Sequence, residues 1–150
     1  MWSNRPIRIF LDTNILVDIF CEEPRPSYDA SSKILQMIHS PKAEGFITTQ
    51  SIIDAEYIFG RQPGYSIERF REKLQTLLKF INVEYIDSFD ISDAIEIGGN
   101  DFEDDALFAH AESKGVDVLV TSDRKFIASH PATDMLVMTP EDFMAHVKMV

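Results

Sequence analysis

Ile7-Arg8-Ile9-Phe10-Leu11-Asp12-Thr13-Asn14 and, far downstream, Val116-Asp117-Val118-Leu119-Val120-Thr121-Ser122-Asp123 are the stretches on which the fold turns. Each is a short apolar run, rich in β-branched residues, that closes on an acid. Working outward, runs of the same character recur at Gly45-Phe46-Ile47-Thr48, Val83-Glu84-Tyr85-Ile86 and Met135-Leu136-Val137-Met138. All five read as strands. Between them lie segments with helical spacing, over 30–38, 51–59, 67–80, 91–97 and 104–113. Strands separated by helices need crossover connections, and these give a mainly parallel sheet with helices on both faces. The expected fold is therefore α/β, a three-layer α/β/α sandwich.

The punctuation agrees. Glu22-Glu23-Pro24-Arg25-Pro26 is a loop, because two prolines so close cannot continue a helix. Gln62-Pro63-Gly64 breaks the chain again, and Ser66 is placed to N-cap the next helix. Gly98-Gly99-Asn100 ends another. Thr139-Pro140-Glu141-Asp142 supplies a cap and a proline at the first helical position of a C-terminal helix.

Composition bounds the function. A chain of 150 residues with 45% hydrophobic content fits one domain over 1–150. The single cysteine, Cys21, cannot form an internal disulfide, as expected of a reducing cytosol. Neither a secretion signal nor a run of about 18 apolar residues is evident, so a cytoplasmic protein with no membrane span is expected. The net charge of −11 opposes nucleic-acid binding, since phosphate backbones are drawn to Lys and Arg. Either nucleic acid is not the substrate, or bound cations and a local basic patch reverse the field where it matters.

Open parallel sheets build their sites at the carboxyl ends of the strands. Asp12 follows the first strand directly and Asp123 lies three residues past the 116–120 run, so both fall on one edge. Asp104 opens the helix before that run, with Leu107, Phe108 and Ala111 on its apolar stripe, while Asp105 shares an outward face with Glu112. A fourth acid comes from the helix after the second strand, either Asp54 or Glu56, which lie about 200° apart around a helix. Converging carboxylates repel one another and need a counter-charge. Mg²⁺ or Mn²⁺ supplies it, because hard cations take carboxylate oxygens, and a pair of such ions can serve phosphodiester cleavage. Each acid also has a plainer role: Asp12 suits an N-cap, Asp104 suits the cap of its own helix as part of a capping box from Asp101, and Asp123 suits a loop acid before a short helix.

These blocks resemble the PIN-domain family. Phe10-Leu11-Asp12-Thr13-Asn14 matches its Asp-x-Asn opening. Asp101-Phe102-Glu103-Asp104 with Ala109-His110-Ala111 is similar to its third acidic block, and Val118 through Phe126 to its fourth. Thr139-Pro140-Glu141-Asp142-Phe143 matches a common ending. The resemblance implies a metal-dependent endoribonuclease, the toxin of a toxin–antitoxin pair, acting on RNA, paired with a protein antitoxin and forming a homodimer. It makes Asp12, Asp104 and Asp123 metal ligands. Asn14 would orient Asp12 or the attacking water, and Ser122 would hydrogen-bond within the cluster. The strand anchor Ile47-Thr48-Thr49-Gln50 selects Asp54 as the second acid, where the family usually has Glu and where helical periodicity favours Glu56. Asp105 stands where the family has a small apolar residue.

Arg124 and Lys125, beside the site, are candidates for guiding RNA, whereas Arg61, Arg69, Arg71, Lys73 and Lys79 are interspersed with Glu68 and Glu72 as on a solvated helix. The four histidines lack metal spacing and are read, with Cys21, as structural. Rival readings are weaker. A haloacid-dehalogenase-like phosphohydrolase needs a second acid where Asn14 stands. A receiver-like signalling module pairs acids at its first strand and carries a late Lys. A PIN-like scaffold that binds partners without cleaving remains the alternative.

Overall fold

The computed structural model describes residues 4–21 and 25–148, so the Glu22-Glu23-Pro24 part of the first proline loop lies outside the described residues. Five strands, β1 (Ile7–Leu11), β2 (Ala43–Thr48), β3 (Ile81–Glu84), β4 (Val118–Val120) and β5 (Leu136–Met138), make one sheet. Its order is β3-β2-β1-β4-β5 and every pairing is parallel. The described residues also form eight helices: α1 (Thr13–Phe20), α2 (Tyr28–Ile38), α3 (Thr49–Phe59), α4 (Ile67–Leu77), α5 (Ser88–Ile97), α6 (Phe102–Ser113), α7 (Arg124–Ser129) and α8 (Pro140–Lys148).

The alternation of strand side chains builds two cores. Ile9, Leu11, Val118 and Val120 face one side, where they meet Ile15 and Leu16 of α1, Ile34 of α2, Ala55 of α3, Phe70 of α4 and Phe143 of α8. Phe10 and Leu119 face the other, against Leu107, Phe108 and Ala111 of α6 and Phe126 of α7. The three layers expected from the alternation of strands and helices are present.

Chain direction across the sheet reverses at β1. The chain moves from β1 to β2 on one side and later returns to β4 on the other, which opens a crevice beyond the carboxyl ends of β1 and β4. The backbone ladder extends into it: Asp12 N–H donates to the Val120 carbonyl and Thr121 N–H to the Met138 carbonyl, both at 3.1 Å. This fixes the height at which Asp12 and Thr121 leave the sheet.

Several boundaries differ from expectation for identifiable reasons. β3 is an edge strand placed two residues earlier than the 83–86 run. Its one well-buried apolar side chain is Ile81, opposite Gly45, while Val83 and Tyr85 are exposed. α4 stops at Leu77 because Lys79 and Phe80 turn back onto the Thr76 and Leu77 carbonyls. α5 starts earlier than expected, at Ser88, through a capping box in which Asp87 and Asp90 each accept from the other's backbone N–H, at 3.0 and 2.9 Å. α6 starts at Phe102 rather than Asp104, because Asp101 accepts from the Asp104 N–H at 3.1 Å and is the N-cap. No helix among the described residues is long and apolar enough to cross a membrane.

Candidate active site

The β1–α1 junction is built around the carboxylate of Asp12. One oxygen, Oδ1, caps α1 by accepting from the Thr13 N–H at 2.7 Å. The other, Oδ2, accepts from the Thr121 hydroxyl at 2.8 Å and from Asn14 Nδ2 at 3.1 Å. The Thr121 hydroxyl in turn accepts from the Asp123 N–H at 3.1 Å and from Asn14 Nδ2 at 3.3 Å. Asn14 Oδ1 receives the Ser122 N–H at 3.0 Å. Asp12 is thus held from both of the strands that flank the crevice.

The hydroxyl expected inside the cluster from Ser122 comes instead from Thr121. Thr121 is fully buried at the end of β4, whereas Ser122 is exposed and contributes its backbone N–H. Asp123 has the plainer role foreseen for it as well as its place on the edge. Its Oδ1 caps α7 by accepting from the Lys125 and Phe126 N–H groups at 2.9 and 3.3 Å.

An open cavity of about 410 Å³ lies over this edge, and Asp12, Asp54, Asp101, Glu103 and Asp104 line it together with Arg25. Asp123 borders the adjoining cavity, which shares Asp101 and Asp104 and includes Lys125. Of the two acids left open on α3, Asp54 is the one at the cavity, steadied by Gln50 Nε2 at 2.9 Å. Glu56 turns away and accepts from the Tyr65 hydroxyl at 2.7 Å. Arg124, expected beside the site, opens α7 but is not among the residues that line either cavity. Sequence reasoning missed Asp101 and Glu103 as lining residues, although both lie in the acidic block that it singled out. It also missed Arg25.

The adjacent pair Asp104–Asp105 is the reverse of the helical-wheel expectation. Asp104 faces the cavity and is partly exposed. Asp105 is buried, accepting from His130 Nε2 at 2.7 Å and from the Gly99 N–H at 2.8 Å. A Cβ on Gly99 would stand 2.7 Å from Asp105 Oδ1, so this close approach requires glycine. His130 Nδ1 lies 2.8 Å from the Phe126 carbonyl, so both ring nitrogens have a polar partner. A second buried pair, His110 Nδ1 with Asp90 Oδ2 at 2.7 Å, ties α6 to α5. Both histidines serve the scaffold behind the site.

The electrostatics follow from crowding. Burial, reinforced by Asp101, Asp12, Asp123 and Glu103, pushes the Asp104 carboxyl up to about 7. Burial also raises Asp12, against hydrogen bonds from Thr121, Thr13 and Asn14 that favour its charged form. Glu103 is raised by burial and by Asp54, Asp101 and Asp12. Among the described residues no three His, Cys, Asp or Glu side chains are gathered closely enough to make a ready ligand cage. The donor set nonetheless fits a hard divalent cation: it is all carboxylate, and its carboxylates outnumber the cations that line the cavity among the described residues.

A family model described as a PIN domain matches residues 8–125. The chain belongs to the PIN-domain family. No protein of curated function matches it in sequence. In structure this PIN domain is similar to VapC20 of Mycobacterium tuberculosis, described as a sarcin–ricin-loop-cleaving toxin. That likeness has 16% identity and a TM-score of 0.65, over 83% of this chain and 96% of that one. It is similar also to a chain in FitAcB from Neisseria gonorrhoeae, at 15% identity and a TM-score of 0.65, over 89% and 98% of the two chains. PAE2754 from Pyrobaculum aerophilum matches at 18% identity and a TM-score of 0.62, over 96% and 97%. At these identities the likeness is one of fold, and it agrees with the sheet order and layers described above.

Proposed function

We propose that this PIN domain is a divalent-metal-dependent endoribonuclease and acts as the toxin of a toxin–antitoxin pair. The observation that carries the proposal is the acidic cavity lined by Asp12, Asp54 and Asp104, with Asp123 beside Asp104 in the adjoining cavity and Asp104 raised to about 7 by burial and by its acidic neighbours. These four carboxylates are the ligands for Mg²⁺ or Mn²⁺, and Asp101 and Glu103 add negative charge around them. The bound cation supplies the charge that the cluster lacks and the Lewis acidity for phosphodiester hydrolysis. Asn14 and Thr121 hold the Asp12 carboxylate in place, so that Oδ1 stays with the helix cap and Oδ2 with the β4 side. Family membership and the toxin neighbours favour RNA as substrate over the other phosphate esters that such a site would serve.

Two protein partners belong to the same proposal, an antitoxin and a second copy of the chain. The exposed side chains of Tyr85, Phe89 and Ile95, before and along α5, and of Ile53 and Tyr57 on α3 offer apolar surface for the second copy. The test is RNA cleavage with Mn²⁺ by the wild type and by Asp12→Asn, with light scattering on the same samples. We expect cleavage by a dimeric wild type and a loss of at least about 100-fold in Asp12→Asn. Equal cleavage by both proteins would remove the site assignment, and a monomeric mass would remove the dimer.

A further inference from the structure

Among the described residues, five carboxylates line the main cavity, and one cation lines it with them, Arg25. Its position is engineered by a buried acid. Asp18 of α1 is only 3% exposed and lies nearly two turns beyond Asp12, on a helix that otherwise buries Ile15, Leu16, Val17 and Phe20. A buried carboxylate must be paired. Asp18 Oδ1 accepts from Arg25 Nε at 2.6 Å, and Oδ2 accepts from the Ser31 hydroxyl at 2.9 Å. The anchoring bond uses Nε, and the terminal Nη nitrogens have no hydrogen-bond partner among the described residues. The arginine side chain is 35% exposed. Asp18 therefore fixes Nε of a guanidinium fork on a residue that lines an acidic cavity.

We propose that Arg25 is the phosphate-positioning residue of this site, donating through its Nη nitrogens to a non-bridging oxygen of an RNA phosphate. The inference rests on the ribonuclease proposal above and deepens it. A polyanion approaching a chain of net charge −11 needs a local cation; Lys125 stands at the adjoining cavity, and neither it nor Arg124 nor the basic segment around α4 lines the main one. Arg suits the position better than Lys. Its planar fork can keep one edge on Asp18 and offer the other to a phosphate, whereas a single ammonium must choose between them. Were Arg25 only the counter-ion of Asp18, its loss would lower stability and leave RNA affinity unchanged. As a phosphate ligand its loss moves RNA and metal in opposite senses, because removing a cation from the cavity disfavours the phosphate and favours Mn²⁺.

The experiment is fluorescence anisotropy of a labelled, mixed-sequence single-stranded RNA with Ca²⁺ present, across a salt series, for the wild type, Arg25→Gln and Arg25→Lys. Thermal melts with and without Mn²⁺ are run on the same proteins. The double variant Asp18→Asn/Arg25→Gln removes the buried charge together with its partner, and so guards against a single variant that does not fold. Arg25→Gln, or the double variant, is expected to bind RNA about tenfold more weakly with a salt slope shallower by about 0.7, the share of one single-strand phosphate contact. Arg25→Lys is expected to keep the wild-type melting temperature but recover only part of the affinity. The Mn²⁺-induced rise in melting temperature should be kept or enlarged in every Arg25 variant. Unchanged RNA affinity and salt slope in a folded Arg25→Gln or double variant would overturn the inference, as would a wild type that binds no RNA. If Mn²⁺ still stabilises the protein in those cases, the metal site stands and only the role of Arg25 falls. If Mn²⁺ has no effect on the wild type either, the ribonuclease proposal falls with it.

Discussion

Asp104→Asn is expected to slow Mn²⁺-dependent RNA cleavage by at least about 100-fold and, in the absence of metal, to melt higher than the wild type. Most substitutions in a packed domain destabilise it, so the second sign is the informative one. Asp104 ionises in the unfolded chain near its ordinary value but in the native protein only at about 7. Between roughly pH 4 and 7 the native state therefore holds a proton that the unfolded state has released. Stability falls with rising pH across that window and is level above it. Asparagine cannot ionise and is free of this loss. Because Asp104 is partly exposed, solvent screening reduces the gain to about 1 kcal/mol at pH 8, a rise of about 3 °C for a chain of this length. Melting both proteins in EDTA from pH 4 to 8 checks the point: the curves should diverge as pH rises. Parallel curves would mean that Asp104 is not held among like charges.

The neighbouring acid should behave in the opposite way. Asp105→Ala is expected to cost roughly 3–5 kcal/mol, because it strands the buried His130 imidazole and the Gly99 N–H. At about 2–4 °C per kcal/mol this is a fall of about 6–20 °C. The effect should persist with Mn²⁺ present, since Asp105 is absent from the main cavity and its carboxylate is taken up by His130 and the Gly99 N–H. Differential scanning calorimetry reads it directly. A melting temperature within a degree or two of wild type would show that the Asp105–His130 pair does not hold α6 to α7.

The contrast between these two residues shows where sequence is informative. The inner strands β1 and β4 and most of β2 are apolar runs because a parallel sheet is covered on both faces, and such runs are visible without any partner, whereas the edge strand β3 keeps only Ile81 well buried. The edge that carries the acids follows from the strands, so Asp12, Asp104 and Asp123 were readable as a set. Which of Asp104 and Asp105 faces the cavity was not. α6 buries every residue from Asp105 to Ala111, since the sheet, α5 and α7 surround it, and a helix packed on all sides has no periodicity to read. The choice of Asp54 over Glu56 failed to follow from periodicity for a related reason: Glu56 is occupied by Tyr65, from a loop that comes close only in the folded chain. Thr121 and Ser122 are both small hydroxyls after β4, and only the ladder bond from Thr121 to Met138 decides which one turns inward. Arg25 carries no pattern at all. It lies in a proline-bounded loop, and its link to the site runs through Asp18, a buried acid that an apolar helix gives no reason to expect.

The central claim is that the carboxylates on this edge form one cation site, and the most direct measurement is the melting temperature of the wild type and of Asp104→Asn with and without millimolar Mn²⁺. Ligand binding to the native state alone stabilises it by about 2.7 kcal/mol at a hundred times the dissociation constant, or about 5–10 °C here. We predict a rise of that order in the wild type at pH 8 that is largely lost in Asp104→Asn. No rise in the wild type, or an equal rise in both proteins, would contradict the claim.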